Sequence, residues 1–240
     1  MKKTILSLMI GFAGISVILL SSCRLNCVHG SGNQTTETRK VSDFTKIDIS
    51  GEFKVTLKQD SSSSLTINAD DNLLKYIKTE VNNGKLRIYS KRSLCSSGEL
   101  TVSVGIRDIK EVDASGAVSV TSDGKINAGD MHFGLSGATK ITMDLNAANV
   151  STEGSGATKM NLTGQATSHS VDLSGVGKIE AFDFVVGNYN IETSGASKCD
   201  INVLNTLNVH SSGASHIKYR GNPTTVNNDK SGASSLEKVN

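Results

Sequence analysis

The 240-residue sequence has no tryptophan, a single proline and only 4% aromatic residues. With four tyrosines and no tryptophan it offers no evident stacking platform for bases or sugar rings. A surplus of charge is missing too. Residues 1–22 hold two of the 25 Lys+Arg and none of the 23 Asp+Glu, so the remainder is close to neutral. Non-specific nucleic-acid binding draws on surplus positive charge, so no nucleic-acid partner is expected. Long amphipathic helical patterns are absent. No Cys-x-x-Cys occurs, which argues against a zinc or dithiol redox centre. No Gly-x-Ser-x-Gly elbow, phosphate loop, dinucleotide fingerprint or calcium-binding nonapeptide is found. The histidines are His29, His132, His169, His210 and His216. Only His210, His216 and Cys199 could be imagined together, and a metal site needs three or four convergent ligands. No metal, cofactor or catalytic residue is expected.

What is present begins with a leader. Lys2 and Lys3 precede an uncharged apolar stretch from Ile5 to Leu20, which ends in Leu20-Ser21-Ser22-Cys23. This is the layout of a cleavable secretory signal. Its end resembles a bacterial lipobox, which implies cleavage before Cys23, diacylation of Cys23 and attachment to a membrane by lipid. Whether the anchor faces the periplasm or the exterior is not readable; no acidic run follows Cys23. If Cys23 is lipidated, Cys27, Cys95 and Cys199 remain. They allow one disulfide, and the sequence does not choose the pair.

The dominant feature is a repeat. Ser-Gly followed by a small residue recurs at Ser115-Gly116, Ser136-Gly137, Ser155-Gly156, Ser174-Gly175, Ser194-Gly195, Ser212-Gly213 and Ser231-Gly232. The spacings are 21, 19, 19, 20, 18 and 19 residues. With the serine as position zero, position +5 is Val120, Ile141, Met160, Ile179, Cys199, Ile217 and Leu236. Position −3 is mostly apolar, and −5 and −3 alternate with polar −4 and −2, the period of a strand with one buried face. Cys199 therefore reads as a buried, inert thiol. Each repeat is a strand, a tight corner, a strand and a second turn. Glycine at the corner permits a positive φ, and Gly164 lies outside the corner column. No coil this short buries its own apolar face, so stability must come from stacking on neighbours.

The polar positions align as well. Position +4 is Lys140, Lys159, Lys178 and Lys198; position −2 includes Glu153, Asp172 and Glu192. Two opposite ladders flanking one corner would offset the repulsion within each. The plain reading is a solvated mixed-charge face; the functional one is a periodic surface for a repetitive ligand.

Upstream, residues 23–40 are rich in Gly, Ser, Asn and Thr and read as a flexible tether. Ser50-Gly51 repeats the corner in degenerate form, with Ile47 at −3 and Val55 at +5. Asp70 to Ile77 suggests one helical turn, and Asn82-Asn83-Gly84 a hairpin turn. Residues 41–110 then form an N-terminal β lobe that caps the stack, since an uncovered end is an aggregation edge.

The segment Phe44-Thr45-Lys46-Ile47-Asp48-Ile49-Ser50-Gly51-Glu52-Phe53-Lys54-Val55, together with Ala69-Asp70-Asp71-Asn72-Leu73-Leu74 and the Ser-Gly-Ala repeats, resembles the head GIN domain family. The resemblance runs from about Val41 to Asn240 and implies β-helical lobes, an envelope lipoprotein of Bacteroidetes type and an adhesin label, with no catalytic or binding residues. The tripeptide Gly-Ile-Asn is absent, the nearest run being Gly124-Lys125-Ile126-Asn127.

The expected architecture is all-β: a parallel β-helix or β-solenoid, right-handed, with coils of about 19 residues. It comprises a signal peptide (1–22), a tether (23–40), an N-terminal β lobe (41–110) and the repeat solenoid (111–240). The expected function is non-enzymatic: an adhesin-like module binding a glycan or protein through its repetitive surface. The alternative is a structural envelope lipoprotein acting through self-association or protein partners. A polysaccharide-active β-helix enzyme is more remote, because near-constant coil lengths leave no room for long active-site loops.

Overall fold

The computed structural model describes residues 26–62 and 64–240; the leader and Cys23 lie outside the described residues. The chain is all-β. Its strands are β1 Val28–His29, β2 Gln34–Lys40, β3 Lys46–Gln59, β4 Ser64–Asp70, β5 Ile77–Asn82, β6 Lys85–Ser90, β7 Leu94–Cys95, β8 Thr101–Ile106, β9 Glu111–Asn127, β10 Asp130–Gly213, β11 His216–Arg220, β12 Thr225–Lys230 and β13 Ser235–Lys238. β1 and β7 form a small two-stranded sheet; the others join one long mixed sheet of 11 strands.

Pairing across the repeats is parallel and in register with the sequence alignment. Ser136-Gly137-Ala138 lies opposite Ser115-Gly116-Ala117, and Ile141 opposite Val120. Cys199 lies opposite Ile217, and Ile217 opposite Leu236. The degenerate corner joins the same column: Ser50-Gly51 pairs with Ser115-Gly116, across 65 residues of chain. The cause is the period-two pattern. A one-residue slip would turn every buried side chain outward, so one-sided burial fixes register. Val120, Ile141, Met160, Ile179, Cys199 and Ile217 are all buried. Each such aliphatic side chain contributes about 1.5–3 kcal/mol of burial free energy.

The corner glycines explain the close stacking. Gly116, Gly137, Gly156, Gly175, Gly195, Gly213 and Gly232 all have φ between +78° and +123°. A Cβ on any of them would lie 2.4–2.7 Å from the carbonyl oxygen of the glycine one coil earlier. Both left-handed backbone and contact with the coil below therefore demand glycine. Gly164 is no less constrained, contrary to its place outside that column. Its φ is +105°, and a Cβ would meet the Leu145 carbonyl oxygen at 2.3 Å. It sits at the second turn of its coil, where backbones also pass closely.

One polar network is enclosed in the core. His169 is fully buried, with Nε2 3.0 Å from Thr152 Oγ1 and Nδ1 3.3 Å from the Tyr189 hydroxyl. Phe184 packs edge-on against its ring. Burial pushes the imidazole pKa down to about 3, so the ring is neutral. The same cause raises the Cys199 thiol to about 12.

The other edge of β3 is covered by β6 on its first half and β8 on its second, both parallel to it. Direction then reverses: β5 is antiparallel to β6, β4 to β8 and β2 to β4. Asn83 and Gly84, both at positive φ, make the β5–β6 hairpin turn. The helical turn expected over 70–77 is one short 3-10 segment, Leu74–Tyr76.

Two findings revise the reading of residues 23–40 as a tether. Cys27 is bonded to Cys95, with Cα atoms 5.6 Å apart, leaving Cys199 as the buried free thiol among the described residues. Residues 34–40 form β2, hydrogen-bonded along β4. A buried carboxylate adds a third fastening. Asp70 accepts hydrogen bonds from the Ser96 hydroxyl (2.6 Å), the Ser97 amide and hydroxyl (3.0 and 2.5 Å) and the Gly32 amide (2.9 Å). These donors hold its pKa far below the ordinary carboxylate range. Beside it, the Ser31 hydroxyl donates to Asp71, and Asn72 Nδ2 donates to the His29 carbonyl. The Asp70-Asp71-Asn72 run thus clasps the 29–33 segment and the 96–97 loop to the end of β4.

Candidate functional site: the corner face and its charged rails

The Ser-Gly-small triplets from Ser136 to Ala233 are exposed in every coil. They form one continuous face of hydroxyls, bare backbone and methyl groups. Val176 interrupts the alanines and is 63% exposed. No hydroxyl among the seven corner serines is hydrogen-bonded to a histidine or carboxylate; Ser115 donates to Ser50 and Ser212 to the Thr193 carbonyl. A nucleophile needs such a base, so the corners have no built activation.

Behind the face, at +3, runs a buried column that the sequence reading passed over: Thr139, Thr158, Ser197, Ser215 and Ser234. Ser215 accepts from Thr193 Oγ1 at 3.0 Å. The hydroxyls of Thr139, Thr158 and Ser197 have no hydrogen-bond partner among the described residues. The signal was available, since the hydroxyl recurs three residues after most corner serines.

The charged rails are arranged differently from the expectation of mutual compensation across the corner. Lysines at +4 find acids at +6, in their own repeat or the next. Lys178 and Lys159 reach Glu180 at 2.5 and 3.0 Å, and Lys198 reaches Asp200 at 3.6 Å. Hydrogen bonds from the two lysines bring the Glu180 pKa down to about 2. Lys140 has no ion pair among the described residues. Residues i and i+2 share a strand face, which is why these pairs form and the pairs across the corner do not.

On the other flank, position −2 is neutralised only near the cap. Arg87 of β6 pairs with Asp48 at 3.1 Å, and Lys85 with Asp113 at 2.8 Å. Further along, Glu153, Asp172 and Glu192 are exposed and have no cationic partner among the described residues. They line two shallow depressions that meet at Asp172. One, of about 300 Å³, includes Glu153, Ser155 and Ser174; the other, of about 360 Å³, includes Glu192, Ser194, Ser212 and Asp229. His210 stands 3.5 Å from Asp229 at the far end.

A larger cleft, of about 930 Å³, lies between the disulfide loop and the first corners. Phe53, Leu94, Leu100 and Ala138 line it, with Glu52 and Lys140 beside them. Among the described residues, Cys27, His29 and Cys95 are close enough to share an ion, but the two sulfurs are joined as a disulfide. His210 and His216 face solvent while Cys199 is buried, so these three do not converge. The site as a whole offers hydrogen bonding and charge over a long, regular surface.

Comparison with known proteins agrees with this geometry. A crystal structure of a protein described as a putative adhesin from Bacteroides fragilis superposes with a TM-score of 0.81 at 18% identity, covering 88% of this chain and 100% of that one. One described as a putative lipid binding protein from Parabacteroides distasonis gives 0.65 at 20% identity, over 89% and 99% of the two chains. A third, described as a putative adhesin from Parabacteroides merdae, gives 0.61 at 22% identity, over 90% and 100%. At these identities the likeness is one of fold. No curated protein matches the sequence. A family model described as "Putative auto-transporter adhesin, head GIN domain" matches residues 43–223. With most of its length spanned by that model, the chain belongs to the head GIN domain family.

Proposed function

We propose that this protein is a non-enzymatic, adhesin-like binding module of the cell envelope, held to a membrane by lipid on Cys23. Its parallel coils are read as a right-handed β-solenoid whose corner face binds a glycan or protein with a repeating surface. The observation that carries this reading is the continuous exposed Ser-Gly-small column beside an acidic rail without cationic partners among the described residues. Such a face presents a corner hydroxyl at every coil and carboxylates at three consecutive ones, Glu153, Asp172 and Glu192. A repetitive ligand can then add weak contacts in series, each too small to matter alone.

The test is retention on an array of mucin glycans and extracellular-matrix proteins. The wild-type protein should be retained on at least one array member. The Ala157→Arg/Ala196→Arg variant, which roughens the exposed face without touching the core, should lose that retention. Equal retention of both would refute the corner face as the binding surface. Cys23→Ala should abolish acyl labelling; unchanged labelling would refute the anchor.

Self-association has one observation in its favour. All six residues of β12 are exposed, and among the described residues β12 pairs only with β10, so its other edge is open. Open strand edges are templates for pairing with another chain. Concentration-dependent sedimentation would reveal such assembly.

A further inference from the structure

We infer that the disulfide-loop end of the molecule is a membrane-facing surface, with Lys75, Lys91 and Arg92 set on anionic lipid headgroups and the corner column directed away. The inference rests on the proposed lipidation of Cys23. Two observations then fix the geometry. The first is covalent reach. Cys27 is bonded to Cys95, β1 pairs with β7, and the Val28 amide donates to the Ser93 carbonyl. The folded body is therefore fastened four residues after Cys23, and four residues span at most about 14 Å. An acyl group on Cys23 brings this end of the molecule against the bilayer.

The second observation is the charge found there. Arg92 and Lys91 immediately precede Ser93, and the Lys91 amide donates to the Tyr76 carbonyl, which places Lys75 alongside. All three cations are exposed and none has an ion pair among the described residues. Of the acids at this end, Glu99 is engaged by Lys54, Asp70 and Asp71 are held in hydrogen bonds from Ser31, Gly32, Ser96 and Ser97, and Glu52 lies at the adjoining groove. The acidic rail of Glu153, Asp172 and Glu192, without cationic partners among the described residues, lies coils away, where an anionic surface would repel it. Within a Debye length of about 10 Å, such a distribution orients a tethered body. The acyl chains supply the anchoring and the cations set the attitude.

The experiment is timed trypsin digestion of the full lipoprotein, reconstituted in phosphatidylethanolamine–phosphatidylglycerol vesicles and compared with detergent. Mass spectrometry reads cleavage at Lys75, Lys91, Arg92 and, as reference, Lys230 on the exposed β12. Three cations at about fivefold each favour the docked attitude by on the order of 100-fold, so cleavage at Lys75, Lys91 and Arg92 should slow by about tenfold or more while Lys230 is cut as before. A Cys23 peptide carrying acyl mass, with all four sites cut at detergent rates, would overturn the orientation alone. A Cys23 peptide without acyl mass would overturn the anchor and the orientation together. Equal protection in phosphatidylcholine vesicles would overturn the contact with anionic headgroups.

Discussion

Replacing Gly175 by alanine probes the stacking in the corner column. Gly175 has φ of +101°, and an added Cβ would lie 2.7 Å from the Gly156 carbonyl oxygen and 3.1 Å from its nitrogen. Holding an L-residue in left-handed backbone costs about 1–2 kcal/mol. The collision is with backbone, which cannot swing aside as a side chain does. Separating two coils to relieve it costs about 1–3 kcal/mol, in the manner of an overpacked core. Reduced entropy of the unfolded chain returns about 0.4–1 kcal/mol. The net loss is then about 1–5 kcal/mol, a substantial part of the stability of an ordinary domain. Gly129 is the control, since its φ is not in the left-handed range and a Cβ there meets nothing within 4 Å. Gly129→Ala should be neutral or stabilising by less than about 1 kcal/mol. Urea unfolding followed by circular dichroism gives both values from midpoints at a shared slope. Equal midpoints for the two variants would refute the reasoning, because the left-handed φ and the close contact with the neighbouring backbone are present at Gly175 and absent at Gly129.

Other perturbations test other parts of the molecule. His169 has its folded pKa depressed to about 3 against about 6.5 unfolded, so below pH 6.5 the unfolded state takes up the proton first. Stability should fall by about 2 kcal/mol between pH 7 and 5, continuing to about 4 kcal/mol at pH 3. Denaturation midpoints of wild type and His169→Leu, compared over pH 7 to 5, should show this slope in the wild type alone. The Cys27–Cys95 bridge closes a separation of 68 residues. The loop-entropy estimate makes the double Cys27→Ala/Cys95→Ala variant about 4 kcal/mol less stable, read from the same urea titration. Ile179, fully buried, and Lys178, which pairs with Glu180, are neighbours on opposite faces. Ile179→Asp should cost more than about 3 kcal/mol and Lys178→Gln less than about 1, and similar thermal midpoints would contradict the facing of that strand.

The repeat was legible because its information is local. A corner needs glycine, a one-sided strand needs alternation, and both recur every 18–21 residues. Alignment alone therefore places Ser136 beside Ser115 and Ile217 beside Cys199, the pairs seen in the sheet. The Asn83-Gly84 turn was legible for the same reason. What escaped has no local signature. β2 is Gln-Thr-Thr-Glu-Thr-Arg-Lys, a polar strand with no apolar face, recruited by β4 rather than by its own pattern. Asp70 looked like the start of a helical turn; its partners are Gly32, Ser96 and Ser97, distant in sequence. The choice of Cys95 for Cys27 depends on that same junction. At the corner face, sequence placed the lysines and acids in columns. It could not show that the lysines take acids at +6 of their own or the next repeat, which leaves Glu153, Asp172 and Glu192 without cationic partners among the described residues.

Regular stacking of coils behind one continuous face is the central claim, and a distance measurement tests it most directly. Ala138 and Ala233 are exposed at equivalent positions, with Ala157, Val176, Ala196 and Ala214 between them. Nitroxide labels on Ala138→Cys/Ala233→Cys, measured by double electron–electron resonance, span five coil steps. At about 4.8 Å per step, a narrow distribution centred near 24 Å is predicted. The pair Ala138→Cys/Ala214→Cys, four steps apart, should be shorter by about one such step. A broad distribution, or two pairs whose distances do not differ by about one step, would contradict the stacked column and the binding face built on it.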